Sequence, residues 1–192
     1  GIELKVITGD DPLVSAHVAR ELNLEIKGIL TGDQIAKMNR LQLARAAVNT
    51  TIFARVNPSQ KLAVIEALKS RNYVVGYMGD GINDAPALQE ADVGISVDSG
   101  VDIAKETADI ILLKKDLMVL EEGVLEGRRT FGNIMKYIKM AASGNFGNMI
   151  SVMVASLFLP FLPMLPVHIL TQNLLCDFAQ IGIPFDHMDQ EY

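Results

Sequence analysis

Val74-Val75-Gly76-Tyr77-Met78-Gly79-Asp80-Gly81-Ile82-Asn83-Asp84-Ala85-Pro86-Ala87-Leu88 is the stretch on which the fold turns. An apolar run stops abruptly at Gly79-Asp80-Gly81, and helix-compatible residues follow. That pattern places carboxylates at the C-terminal edge of a buried strand, where α/β sheets bind ligands. Glycine on both sides of Asp80 lets the backbone turn sharply and approach a ligand closely. Asp80 and Asp84 together suit a hard, oxygen-seeking cation such as Mg²⁺. Each piece also has a plainer reading, since Asp-Gly pairs form turns and Asn-Asp caps helices.

Working outward, strand and helix patterns alternate over residues 1 to about 115. Strands are predicted over 4–7, 26–30, 51–54, 73–78, 92–97 and 109–113. Helices are predicted over 12–22, 40–48, 59–70, 83–90 and around 102–107, with Pro12 and Pro58 suited to first helical turns. The expected fold class is α/β, a mainly parallel, Rossmann-like sheet covered by helices. From Leu117 the pattern becomes one long helix with Leu120, Val124 and Leu125 as apolar members.

Composition narrows the function classes. A net charge of -6 argues against a nucleic-acid-binding surface, which needs clustered Lys and Arg. The single cysteine, Cys176, rules out an intrachain disulfide. The apolar residues are unevenly spread: no Asp, Glu, Lys or Arg lies between Lys139 and Asp177. About one residue in four is charged in an ordinary soluble domain, so this gap is a signal. Residues 140–159 are long enough to cross a hydrocarbon core of about 30 Å as a helix, and a second apolar stretch covers about 167–185. Pro160, Pro163 and Pro166 punctuate the turn between them. The alternative is a buried helical hairpin. Arg128, Arg129, Lys136 and Lys139 precede the first stretch and suggest a cytoplasmic entry side.

Two further groups carry chemistry. Thr8-Gly9-Asp10 ends the first strand, where a hydroxyl, a backbone N–H and a glycine's close approach can bind phosphoryl oxygens. Asn145 and Asn148 share one face of the first apolar helix, and Asn173, Cys176 and Asp177 share a face of the second. Polar groups in such helices are expensive and usually functional, although amides also serve as interhelical hydrogen bonds.

The run from Gly79 to Leu88 resembles the hinge motif of P-type ATPases, cation pumps built on a haloacid-dehalogenase-like domain. Phe53-Ala54-Arg55-Val56-Asn57-Pro58-Ser59-Gln60-Lys61 is similar to the Ala-Arg-Val-x-Pro-x-x-Lys motif of the same family. The resemblance implies that Thr8 contacts phosphate beside Gly9, that Asp10 and Arg55 lie near ATP, and that Lys61 neutralises phosphoryl charge. It implies Asp80 as a Mg²⁺ ligand, Asn83 as a phosphate contact, and Asp84 as a residue holding the metal site or Lys61. Thr8, Lys61 and Asp84 are the implied catalytic group, and the implied chemistry is formation and hydrolysis of an aspartyl-phosphate. Asn145, Asn148, Asn173 and Asp177 fall on positions that supply transported-cation ligands in the family's fifth and sixth membrane helices.

Asn173-Leu174-Leu175-Cys176-Asp177 and Pro184-Phe185-Asp186-His187-Met188-Asp189 look most like the bacterial magnesium-transporting branch. The implied organisation is the C-terminal part of a phosphorylation domain over 1–116, a stalk helix over 117–139 and a transmembrane hairpin over 140–192. The implied location is a bacterial inner membrane, multi-pass, with the α/β part cytoplasmic. No Asp-Lys-Thr-Gly-Thr or Thr-Gly-Glu segment occurs in these 192 residues. The nucleophile, the nucleotide-binding and actuator parts and the other membrane helices are therefore expected elsewhere in a longer parent, and the piece alone is expected to be inactive. Two other classes stand beside this one: a haloacid-dehalogenase-like phosphatase with a membrane anchor, and a non-catalytic Mg²⁺-binding module.

Overall fold

A computed structural model describes residues 2–114 and 116–186. The chain divides into two compact units, Gly1–Lys115 and Asp116–Tyr192. The stretch His187-Met188-Asp189, part of the resemblance above, lies outside the described residues.

In the first unit β1 (Val6–Ile7), α1 (Pro12–Glu21), β2 (Ile29–Thr31), α2 (Gly32–Ala36), α3 (Arg40–Val48) and β3 (Ile52–Ala54) follow in order. Then come α4 (Pro58–Lys69), β4 (Gly76–Met78), a 3₁₀ turn (Ile82–Asp84), α5 (Ala85–Glu90), β5 (Val93–Val97), α6 (Asp102–Thr107) and β6 (Ile110–Leu112). The helix starts follow from local chemistry. Asp11 caps α1, accepting from the Leu13 N–H, with Pro12 at the first helical position. Asn57 caps α4 in a reciprocal box with Gln60, followed by Pro58. The helix α2 was not predicted; its signal is the Thr31–Gln34 capping box, hidden because Thr-Gly-Asp also reads as a turn.

Every strand pairing is parallel. The sequence pattern predicts one sheet, whereas among the described residues the strands form two, ordered β1-β3-β2 and β4-β5-β6. Among the described residues β1 and β4, like β2 and β6, each pair on one side only. Burial reflects this: β3 is buried throughout, β1 only half-buried, and in β4 only Tyr77 is buried. Ile7 next to one open edge and Val75 next to the other pack against the same two clusters of buried side chains.

One cluster gathers Phe53, Val64 and Leu68 with Leu43 and Ala47; the second gathers Ile65, Tyr77, Ala87, Leu88 and Ala104. Helix α4 serves both, because Val64 and Leu68 lie one turn apart while Ile65 points to the neighbouring face. Burial of each such side chain contributes roughly 1.5–3 kcal/mol. The base of Lys61, in the first turns of α4, is thereby fixed.

The second unit begins with α7 (Leu117–Phe158), capped by Asp116, which accepts from the Met118 N–H. It continues without a break, as the pattern predicts, until Leu159 and Pro160. Helix α8 (Pro166–Gln180) and a 3₁₀ turn (Ile183–Phe185) follow. Among the described residues no helix is long and apolar enough to cross a membrane, contrary to the expectation of two spanning helices at 140–159 and 167–185. The reasons are physical. Helix α8 has 15 residues, and at about 1.5 Å per residue falls short of a core of about 30 Å. In α7 the apolar half is diluted by Ser143, Gly144, Asn145, Gly147 and Asn148. Large apolar side chains nevertheless remain uncovered on both helices, among them Met149, Leu157, Phe158, Leu170 and Phe178.

Candidate functional site

Parallel strands bring their C-terminal ends to one edge, and hydrogen bonds join the loops that leave β1 and β3. Thr8 donates its N–H to the Phe53 carbonyl (2.8 Å) and accepts at its own carbonyl from the Val56 N–H (3.2 Å). The Arg55 N–H donates to the Asp10 carbonyl at 3.0 Å, and the Arg55 guanidinium pairs with Asp11. Arg55 adopts φ of 52°, a left-handed conformation held by these two contacts. The loop after β3 then starts α4, whose Lys61 reaches the residues after β4.

At that end lies the central arrangement. Lys61 Nζ donates to Asp84 Oδ1 at 2.6 Å, the Tyr77 hydroxyl donates to the same oxygen at 2.8 Å, and the Gly81 N–H donates to Oδ2 at 3.2 Å. Asp84 is 8% exposed. Burial alone would push its carboxyl up, but the Lys61 ammonium and the Tyr77 hydroxyl more than offset this and hold it below its ordinary value. Tyr77 moves the other way: burial, and then the Asp84 carboxylate, push its hydroxyl far above its ordinary value, so it stays a donor.

Asp80 is exposed on the loop just before, and its carbonyl accepts from the Val101 N–H at 3.0 Å, tying the turn to the start of α6. Asn83 is exposed on the 3₁₀ turn. Thr8 Oγ1 donates to Asp10 Oδ2 at 2.7 Å and accepts from the Asp10 N–H, so these two are joined to each other. The glycines are not there for left-handed turns, because no described glycine has positive φ. Gly79 gives room instead: a Cβ would stand 2.5 Å from Asp84 Cβ. Sequence reasoning missed Tyr77, since a tyrosine in an apolar strand reads as core. It also missed Asp11, which reads only as a helix cap.

The second unit carries the other four polar residues singled out by the sequence. Asn148 Oδ1 accepts from Gln172 Nε2 at 2.8 Å across the two helices. Asn145 and Asn173 are exposed. Asp177 is exposed too, and lines a cavity of about 740 Å³ with Asn133, Tyr137 and Gln180. Among the described residues no three His, Cys, Asp or Glu side chains cluster as metal ligands.

A family model of haloacid dehalogenase-like hydrolases matches residues 1–92, in keeping with the parallel α/β unit. A magnesium-transporting ATPase, P-type 1, of Salmonella typhimurium is 56% identical over 192 residues, which is 100% of this chain and 21% of that protein. Its Escherichia coli K12 counterpart is 59% identical over 191 residues, again 21% of its length. A probable cation-transporting ATPase F of Mycobacterium bovis is 36% identical over 93% of this chain and 21% of its own. A solved zinc-transporting PIB-type ATPase in its E2.Pi state superposes with a TM-score of 0.61 at 27% identity, covering 94% of this chain and 23% of that one. The chain spans about a fifth of the length of the curated relatives it matches. It is related from end to end to P-type cation-transporting ATPases, and is more similar to the magnesium-transporting ones than to the mycobacterial one.

Proposed function

We propose that this chain, a relative of the magnesium-transporting P-type ATPases, is the part of an ATP-driven cation pump that handles the phosphoryl group and joins it to the ion path. The observation carrying this reading is the buried Lys61–Asp84 pair beside Asp80 at the end of β4. A lysine ammonium held on a shielded carboxylate, one loop from an exposed carboxylate, is built to receive a multiply charged anion.

In this reading a carboxylate from outside residues 1–192 attacks the γ-phosphorus of ATP. The bond to the ADP oxygen breaks, and water later cleaves the aspartyl-phosphate. Lys61 neutralises the phosphoryl oxygens, and Thr8 and Asn83 hydrogen-bond them. Arg55 and Asp10, with Gly9 between the strand ends, bound the nucleotide side. The donor set suits Mg²⁺ bound through one carboxylate, Asp80, plus phosphate and water, because the Asp84 oxygens already carry three donors. When bound, Mg²⁺ supplies charge neutralisation at the phosphoryl oxygens. Asp84 acts mainly by holding Lys61 and lies at the rim of that metal site. The strand bearing the nucleophile slots between the open edges of β1 and β4, both of which end in site residues.

The second unit supplies the ion path. The later part of α7 and α8 sit in a bacterial inner membrane among other helices of the same protein, with the α/β unit cytoplasmic. Their many uncovered large apolar side chains support this, because such groups left exposed along two helices call for lipid or protein over them. The polar residues that dilute α7 are those an ion path needs. Asn145, Asn148, Asn173 and Asp177 contact the transported divalent cation, with Mg²⁺ as the favoured cargo.

The deciding experiment is acid quenching of the full-length protein after exposure to γ-labelled ATP. The expected product is an acid-stable phosphoenzyme that hydroxylamine cleaves; none forming would refute the pump reading. For the ion path, Asp177→Asn is expected to raise the cation concentration for half-maximal ATPase activity by at least about tenfold, equivalent to about 1.4 kcal/mol. An unchanged cation dependence removes Asp177 from the path.

A further inference from the structure

Tyr77 is central in β4 and 8% exposed, its ring packed among Ile65, Ala87, Leu88 and Ala104. A ring so held has little freedom, and its hydroxyl arrives at Asp84 Oδ1 from a fixed direction at 2.8 Å. Lys61 reaches the same oxygen from a flexible four-carbon stem. The two donors therefore differ in kind. The ammonium can leave for a more highly charged partner, whereas the hydroxyl stays. With Tyr77 and the Gly81 N–H in place, the Asp84 carboxylate keeps a donor on each oxygen even when Lys61 turns away.

We propose that Tyr77 is a positioning residue: its hydroxyl holds Asp84 as a stationary anchor, which aims Lys61 at the phosphoryl group and lets it move there without stranding a buried charge. This role rests on the pump reading above. It assigns a part in phosphoryl handling to a side chain whose place in a strand marks it only as core.

The test is inhibition of the full-length protein's ATPase by orthovanadate, an analogue of the transferred phosphoryl group. Tyr77→Phe keeps the ring and removes only the hydroxyl, so the fold and the cation dependence should be retained, with a modest fall in thermal midpoint because Asp84 keeps Lys61 and the Gly81 N–H as donors. Vanadate affinity should fall by about tenfold, as expected when a buried charged acceptor loses a fixed donor. On an Asp84→Asn background, with vanadate binding read directly as protection from limited proteolysis so that turnover is not needed, the same substitution should change vanadate affinity less than about twofold, because coupled residues are not additive. Unchanged vanadate affinity in Tyr77→Phe would overturn the proposal, as would an equal loss on the Asp84→Asn background, which would mark Tyr77 as a packing residue. Wild-type protein that neither binds vanadate nor forms a phosphoenzyme would overturn the pump reading and this role together. Normal wild-type inhibition with an unaltered Tyr77→Phe overturns the Tyr77 role alone.

Discussion

Lys61→Met in the full-length protein should slow phosphoenzyme formation by at least about 100-fold, the scale on which one aimed donor stabilises a transferring group. Methionine keeps most of the stem's length and apolar packing, so the change isolates the charge. It should also destabilise the α/β unit by about 3 kcal/mol, the lower end for breaking a buried pair. The lower end applies because Asp84 keeps Tyr77 and the Gly81 N–H as donors. Both side chains of the pair are well shielded, 15% and 12% exposed, so solvent screening does little to soften the loss. Lys61→Arg separates the two effects. It keeps a cation for Asp84 and should recover most of the stability, but the bulkier, planar fork aims differently and should leave the rate low. Rapid quench with labelled ATP and a thermal melt measure the two quantities. A Lys61→Met rate within a few-fold of wild type would remove Lys61 from phosphoryl transfer.

Gly79→Ala comes next in size, by a steric route. An alanine Cβ would stand 2.5 Å from Asp84 Cβ and 2.8 Å from its Cγ, closer than packed carbons approach. Neither partner can move cheaply. The Gly79 N–H donates to the Ile95 carbonyl at 3.0 Å, and three donors pin Asp84. Relief requires Asp84 to shift, which drags Lys61 off line. Such overpacking costs about 1–3 kcal/mol of stability. Displacing a catalytic group by about 1 Å costs on the order of 10²-fold in rate. Gly81→Ala is the control: its Cβ would meet only Asp84 Oδ2, at 3.3 Å, so its effect should be clearly smaller. Equal effects of the two substitutions would mean that the glycines serve the backbone turn and not the room around Asp84.

Much of the site was legible without coordinates because it depends on local chemistry. The Asn57-Pro58 start of α4 places Lys61 near the helix N-terminus, and the ends of apolar runs place Thr8, Asp10 and Asp80 at strand ends. The partners of those residues were not legible. Lys61 and Asp84 are 23 positions apart, and Arg55 and Asp11 are 44 apart. Such pairs depend on how α4 and the loops pack. The room that Gly79 leaves for Asp84 was not legible for the same cause, since space around a side chain is not a property of its neighbours in sequence.

The amino-acid sequence alone determined the alternation of strands and helices, the unbroken run of α7 and the residue types at the strand ends. Each follows from short-range periodicity, capping and turn chemistry. Only the tertiary structure decided that the described strands form two parallel three-stranded sheets, with β1 and β4 among their edges. It also decided that Asp84 faces inward to Lys61 and Tyr77, and that Asn148 meets Gln172. Those outcomes depend on burial and on contacts between distant segments, where the cost of leaving a charge unpaired in a packed interior selects the partner.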